Sequence, residues 1–210
     1  MSEEKYITVK GIVLKESALG ENDKLLTVFS GERGRLSVAA KGARRPKSRF
    51  LAAAQLFSYG KLELYAGKSM YVLRGAELIE NFYQIRCDLD RLTAASEISR
   101  LVLRVVQENL PDEETAQLIL HTFYYLNKGT RAPRLLTSIF RLRLLCIQGF
   151  LSGEAVQEEL NRIGFSQQGT ARAVMHICEA EPETLFRFSV SDAVLDEIDG
   201  LSALLVRETI

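Results

Sequence analysis

The sequence predicts an α+β protein, a five-stranded β-barrel over residues 1–80 followed by an all-helical domain over 81–210. Three observations carry that expectation. Up to residue 80, short runs of β-branched and aromatic residues alternate with turn signals. From Asn81 onward the apolar residues recur every three or four positions, with hardly any strand signal left to pair with. A chain of 210 residues, 47% of them hydrophobic, is long enough to bury a sizeable core as one large domain or two small ones.

The first expected strand is Tyr6–Lys15, followed by a polar loop, Glu16–Asn22. Asp23–Ser30 and Arg35–Lys41 come next, joined by Gly31-Glu-Arg-Gly34, whose glycines give the backbone freedom of a hairpin turn. This GxxG has the form used by some RNA-binding modules, but those loops join helices, and between strands it reads as a turn. A long basic connection, Gly42–Ala54, precedes a last hairpin, Phe57–Tyr65 and Met70–Ile79, turning at Ala66-Gly67-Lys68. Five short strands with one long connection after the third suit a small closed barrel. The OB-fold is the commonest five-stranded example, and propensity does not separate it from an SH3-like barrel. In the fourth strand Leu62 and Leu64 are expected to face the core, which turns Tyr59, Lys61, Glu63 and Tyr65 outward.

In the helical part, Leu92, Ala95, Ile98, Val102 and Val105 mark one helix, which stops before Asn109-Leu-Pro111. Asp112 is expected to cap the next, with Ala116, Ile119, Phe123 and Leu126 on one face. After Pro133 the run Leu135–Ile147 is apolar nearly all round, the pattern of a helix at the centre of a bundle. Arg141 and Arg143, two cations in this run, are expected to pair with acids of adjacent helices. Three shorter helices follow at Glu154–Ile163, Thr170–Glu179 and Asp192–Arg207.

Composition excludes disordered, collagen-like and disulfide-rich classes, since 27 basic residues balance 27 acidic ones with only 3 Cys and 4 Pro. Cys87, Cys146 and Cys178 are too widely spaced for a CxxC pair and fit a reducing, cytoplasmic setting. MSEEKYITVKG places acids where a signal peptide needs basic residues, and apolar stretches such as LSALLV fall far short of the roughly 20 residues a bilayer requires. No membrane association is expected. His121 and His176 lie inside expected helices, and no GxSxG, HExxH, GxGxxG or Walker-type loop occurs. Asp88 and Asp90 precede a helix, where capping and the helix dipole account for them. No catalytic residue, cofactor or metal is assigned, and enzymatic activity is not expected.

The neutral total hides an asymmetry. Residues 1–80 hold 14 basic and 9 acidic side chains, whereas residues 144–210 hold 4 and 11. Arg35, Lys41, Arg44, Arg45, Lys47 and Arg49 follow Arg33 without an intervening acid. Such a run is often only a solvated face; the functional alternative is a polyanion partner. Gly42 and Pro46 keep the segment out of regular structure, and Ser48 adds a donor for phosphate. Single strands bind such loops more tightly when rings stand beside the cations, each base stack being worth about 1–3 kcal/mol. Phe50, Tyr59 and Tyr65 are the candidate rings. The competing role for both tyrosines is to cover a seam with the helical domain.

Gly20-Glu-Asn-Asp-Lys-Leu-Leu-Thr-Val-Phe29, then Gly34-Arg35 and Lys41-Gly-Ala-Arg-Arg-Pro-Lys-Ser-Arg-Phe50, resemble the N-terminal domain of the bacterial recombination mediators of the RecO family. Phe140-Arg-Leu-Arg-Leu-Leu-Cys-Ile-Gln-Gly149 is similar to that family's core helix, so the resemblance covers about residues 6–150. It implies an OB-fold barrel followed by a helical domain, in a protein that binds single- and double-stranded DNA and anneals complementary strands. It also implies partnership with RecR and with the acidic C-terminal tail of single-stranded-DNA-binding protein, so that RecA loads onto covered gaps. Phosphate-contact roles transfer to Lys41, Arg44, Arg45, Lys47 and Arg49, with Arg33 and Arg35 as neighbours in sequence. Many relatives carry two CxxC pairs that bind zinc beyond the core helix; this chain offers only Cys178 there, and no zinc is expected.

Two functions from different classes stand side by side at this point. One is a non-enzymatic DNA-binding and annealing protein. The other is a protein-interaction adaptor whose basic loop docks an acidic protein partner. The number of phosphates engaged separates them, because counterion release gives a steep salt slope and docking of a small acidic patch a shallow one.

Overall fold

The computed structural model describes residues 5–151 and 168–210. They form a barrel followed by helices, and group into two compact units: residues 1–83 with 102–117, and residues 84–101 with 118–210.

The barrel strands are β1 (Tyr6–Leu19), β2 (Asp23–Ser30), β3 (Gly34–Ala40), β4 (Tyr59–Ala66) and β5 (Tyr71–Glu80). They close in the order β1-β2-β3-β5-β4, with β4 returning to β1 and only β3 and β5 running parallel. This five-stranded closure is the OB arrangement, which the spacing of the runs had left open. Alternation fills the interior: Val9, Val13, Leu26, Val28, Leu36, Val38, Leu62, Leu64 and Leu73 form one core. Lys61 and Glu63 point outward from β4, as the two leucines between and beside them dictate.

The chain differs from the sequence reading in the tail of β1. The polar stretch expected as a loop is strand as far as Leu19, with Glu16 opposite Leu26 and Leu19 opposite Asp23. These residues are exposed at the end of a hairpin, so no apolar alternation marks them, while the ladder and a Glu16–Lys24 ion pair of 2.7 Å hold them extended. Leu14 is an extra residue between Val13 and Lys15, a bulge that bends β1 from its partner β4 towards β2.

Residues 102–117 join the barrel's unit through the β2–β3 turn. Asp112 donates its backbone N–H to the Gly31 carbonyl at 2.8 Å, and Arg35 donates its own to the Gln107 carbonyl at 3.0 Å. The residue-80 boundary read from the sequence coincides with the end of β5, but this docked segment lies well beyond it.

The helices are α1 (Tyr83–Arg86), α2 (Leu89–Val105), α3 (Glu113–Lys128), α4 (Pro133–Ile147), α5 (Gln168–Glu179) and α6 (Asp192–Thr209). The expected helix Glu154–Ile163 lies outside the described residues. Asp112 caps α3, its carboxylate accepting from the Thr115 N–H at 3.0 Å. In α4, Leu135, Leu136, Ile139, Phe140, Leu142, Leu144 and Leu145 are all buried, consistent with its apolar run. Arg141 pairs with Glu97 and Asp199 as expected. Arg143 instead donates to the carbonyls of Ile177 and Cys178. The last turn of α5 leaves its carbonyls without helical partners and carries the negative end of the dipole, which satisfies a guanidinium without an acid.

Candidate nucleic-acid interface

Beyond Ala40 the chain makes successive tight turns rather than a free loop. Backbone bonds join Arg45 N–H to Gly42 O at 3.1 Å, Ser48 N–H to Arg45 O at 3.0 Å and Leu51 N–H to Ser48 O at 3.1 Å. Ala43, Phe50 and Ala54 sink into the barrel core and fix the segment from below. The β1–β2 turn fixes it from the side: Asp23 accepts from the Gly42 N–H at 2.7 Å, and the Asn22 carbonyl accepts from the Arg44 N–H at 3.0 Å. Lys24 adds a bond from Nζ to the Ala54 carbonyl at 2.9 Å.

On this frame Lys41, Arg44, Arg45, Lys47 and Arg49 are all exposed. Arg44 donates to the Gly20 carbonyl at 3.2 Å and Arg49 to the Arg74 carbonyl at 2.6 Å. Among the described residues none of the five has a carboxylate partner. The segment therefore presents unneutralised positive charge on an ordered backbone. Arg33 is also exposed, in the β2–β3 turn.

Arg35 and Phe50 depart from the roles suggested by their position in the run. The Arg35 guanidinium reaches the Leu103 carbonyl at 3.2 Å and pairs with Glu108 at 3.3 Å, so it tethers the 102–117 segment to the barrel. Phe50 is 5% exposed and belongs to the core, so it offers no face to a nucleobase; closing the barrel requires an apolar anchor here. Tyr59 is half-buried, and burial first, then the charges of Glu113 and Glu32, push its hydroxyl above the usual phenol value. A ring beside two carboxylates is poorly placed for a polyanion. Tyr65 stands on the outer face in a different setting, opposite Tyr6 in the β1–β4 ladder, with ring centroids 5.0 Å apart. Neither Tyr6 nor Arg74 stood out in the sequence; the register across the barrel closure brings Tyr6 to Tyr65, and the β4–β5 hairpin brings Arg74.

In the helical unit a cavity of about 310 Å³ is lined by Asp90, Glu97, Asp199, Arg134 and Arg141, among others. Its carboxylates outnumber its guanidiniums, and Arg134 and Arg141 are already engaged by Asp196, Asp199 and Glu97. Cys146 and Cys178, far apart in sequence, lie close enough on α4 and α5 for each thiol to perturb the other. Among the described residues no group of three or more His, Cys, Asp or Glu side chains gathers where it could hold a metal ion. No helix among them is long and apolar enough to cross a membrane.

The family profile described as Recombination protein O N terminal matches residues 1–82, the whole barrel and its basic segment, and Recombination protein O C terminal matches residues 86–151. The chain belongs to the RecO family. The DNA repair protein RecO of Acetivibrio thermocellus is 36% identical over 97% of this chain and 91% of its own length. That of Caldanaerobacter subterraneus is 28% identical over 97% and 92%. The alignment with the Clostridium novyi RecO, 33% identical, takes in 67% of this chain and 55% of the relative. The RecO C-terminal match ends at Leu151, so α5 and α6 lie beyond it.

Proposed function

We propose that this chain is a non-catalytic DNA repair and recombination protein that holds single- and double-stranded DNA by its phosphates on the basic segment of its OB barrel. The observation that carries the reading is the set of five exposed cations, without acid partners among the described residues, on a backbone anchored at both its apolar and polar sides. Pre-organised cations lose little conformational freedom when phosphates arrive. Two complementary strands neutralised on such surfaces meet with less mutual repulsion, which is the physical basis of annealing. Recognition is independent of base sequence, because phosphate contacts carry no sequence information.

The family supports a place in recombination, with RecR as partner, the acidic C-terminal tail of single-stranded-DNA-binding protein as a second contact, and loading of RecA onto covered strands as the outcome. Such work belongs in the cytoplasm. The test is anisotropy binding of a labelled oligo-dT from about 50 to 200 mM salt. Each phosphate contact adds roughly −0.7 to the log–log slope. The triple variant Arg44→Ala/Arg45→Ala/Lys47→Ala should lose most of that slope. Absence of binding at low salt would overturn the reading in favour of docking to an acidic protein.

A further inference from the structure

The basic segment does not end at Arg49. Its guanidinium lies 4.7 Å from the centroid of the Phe50 ring, and it donates to the backbone carbonyl of Arg74 on β5. Arg74 in turn places its guanidinium 5.4 Å from the centre of the Tyr65 ring, and Tyr65 faces Tyr6 across the β1–β4 ladder at 5.0 Å, with ring planes inclined at 60°. Two cations and then two rings thus run from the loop across β5 and β4 to β1. Arg49 and Arg74 are exposed and have no carboxylate partner among the described residues.

A cross-strand aromatic pair steadies a ladder by itself. That role does not require Tyr6 to remain 65% exposed, nor a guanidinium over the Tyr65 ring. Open ring surface beside one guanidinium, with a second bonded to the backbone of the first, suits a ligand that is flat, apolar on its faces and tied to negative charge. A nucleobase on its phosphate backbone has those properties, and a base in a duplex does not offer its face.

Resting on the single-strand reading above, we propose that Tyr6 and Tyr65, with Arg74 and Arg49, form a stacking platform for unpaired nucleobases that continues the phosphate track of the loop. The loop then supplies charge neutralisation common to all nucleic acid, and the platform supplies the preference for exposed bases.

Two oligomers of equal length and charge test this, one of dT and one abasic at every position. The wild-type protein should bind dT roughly tenfold or more tighter than the abasic strand. The Tyr6→Leu/Tyr65→Leu variant should bind both alike, with its salt slope unchanged. Tyr6→Leu alone, at an exposed ring, should lose part of the difference and guards against misfolding of the double variant. Because the chain has no tryptophan, Tyr6→Trp provides a unique emission that dT should quench and the abasic strand should not. Equal wild-type affinity for both strands, or a difference that survives loss of both rings, overturns the platform while leaving phosphate binding intact. Binding to neither strand overturns the phosphate reading and the platform with it.

Discussion

Gly34 and Leu110 approach so closely that a Cβ on the glycine would stand 2.2 Å from the Leu110 carbonyl oxygen. The glycine has φ +65° and closes the β2–β3 turn. One residue therefore meets two demands, a left-handed backbone for the hairpin and an open flank for the docked 107–110 backbone. Gly34→Ala violates both, and should lower unfolding free energy by more than the 1–2 kcal/mol of the backbone conformation alone. Urea denaturation followed by circular dichroism measures it; an unchanged midpoint would show that the segment is not held at the turn.

Arg35 and Arg45 carry the same charge in the same basic run but should behave oppositely. Arg35→Ala removes a tether to Leu103 and Glu108 and is expected to cost about 0.5–1.5 kcal/mol of stability with little change in oligo-dT affinity. Arg45→Ala, at an exposed position, should leave stability within about 0.5 kcal/mol and weaken DNA binding. Parallel urea and anisotropy titrations of both variants decide whether the run has these two functions.

Asp199 gives the helical unit an acid sensitivity of known sign. Burial pushes its carboxyl up, but hydrogen bonds from Arg134 and Ser138 and the charges of Arg141 and Arg134 outweigh that and hold it below the usual carboxylate value. Its stabilising contribution is complete above the unfolded value, about pH 4, and is lost as pH falls through the lower folded one. Asp199→Asn should therefore flatten the acid limb of stability against pH, measured by thermal melting between about pH 2 and 5.

The thiols of Cys146 and Cys178 should differ in reactivity. The neighbouring Cys178 thiol and the nearby Arg143 charge hold Cys146 below the usual thiol value against the opposing effect of burial, whereas the Cys146 thiol and burial push Cys178 up. In a Cys87→Ser background, iodoacetamide followed by mass spectrometry should label Cys146 first, with a rate that rises at lower pH than that of Cys178. Equal labelling would contradict the opposite shifts of the two thiols.

Most of the barrel was readable because alternation and turn chemistry are local: Leu62 and Leu64 announce the inner face of β4, and Gly31-Glu-Arg-Gly34 the turn before β3. The tail of β1 was not, because Glu16–Leu19 are solvated on both faces and carry no pattern. The basic segment was readable as charge but not as architecture. Phe50 follows the last cation and looks like a ring for bases, yet its position beneath the loop comes from filling the barrel end, a volume requirement that no spacing displays. Arg35 looks like its neighbours until Glu108 and Leu103 are brought beside it. The Tyr6–Tyr65 pairing depends on strand register across the closure, which is set only once all five strands have met.

The anchoring of the basic segment divides its residues by what each can become. Arg44, Arg45 and Lys47 act as charges at the surface, so exchanging lysine for arginine there alters little. Ala43 and Ala54 are 1% and 0% exposed against the barrel core, where one added methylene must displace a neighbour at about 1–3 kcal/mol. Drift in the cations and rigidity in Ala43 and Ala54 are thus expected within one short segment. An engineer who wished to retune salt sensitivity would rewrite the charges and leave the alanines alone.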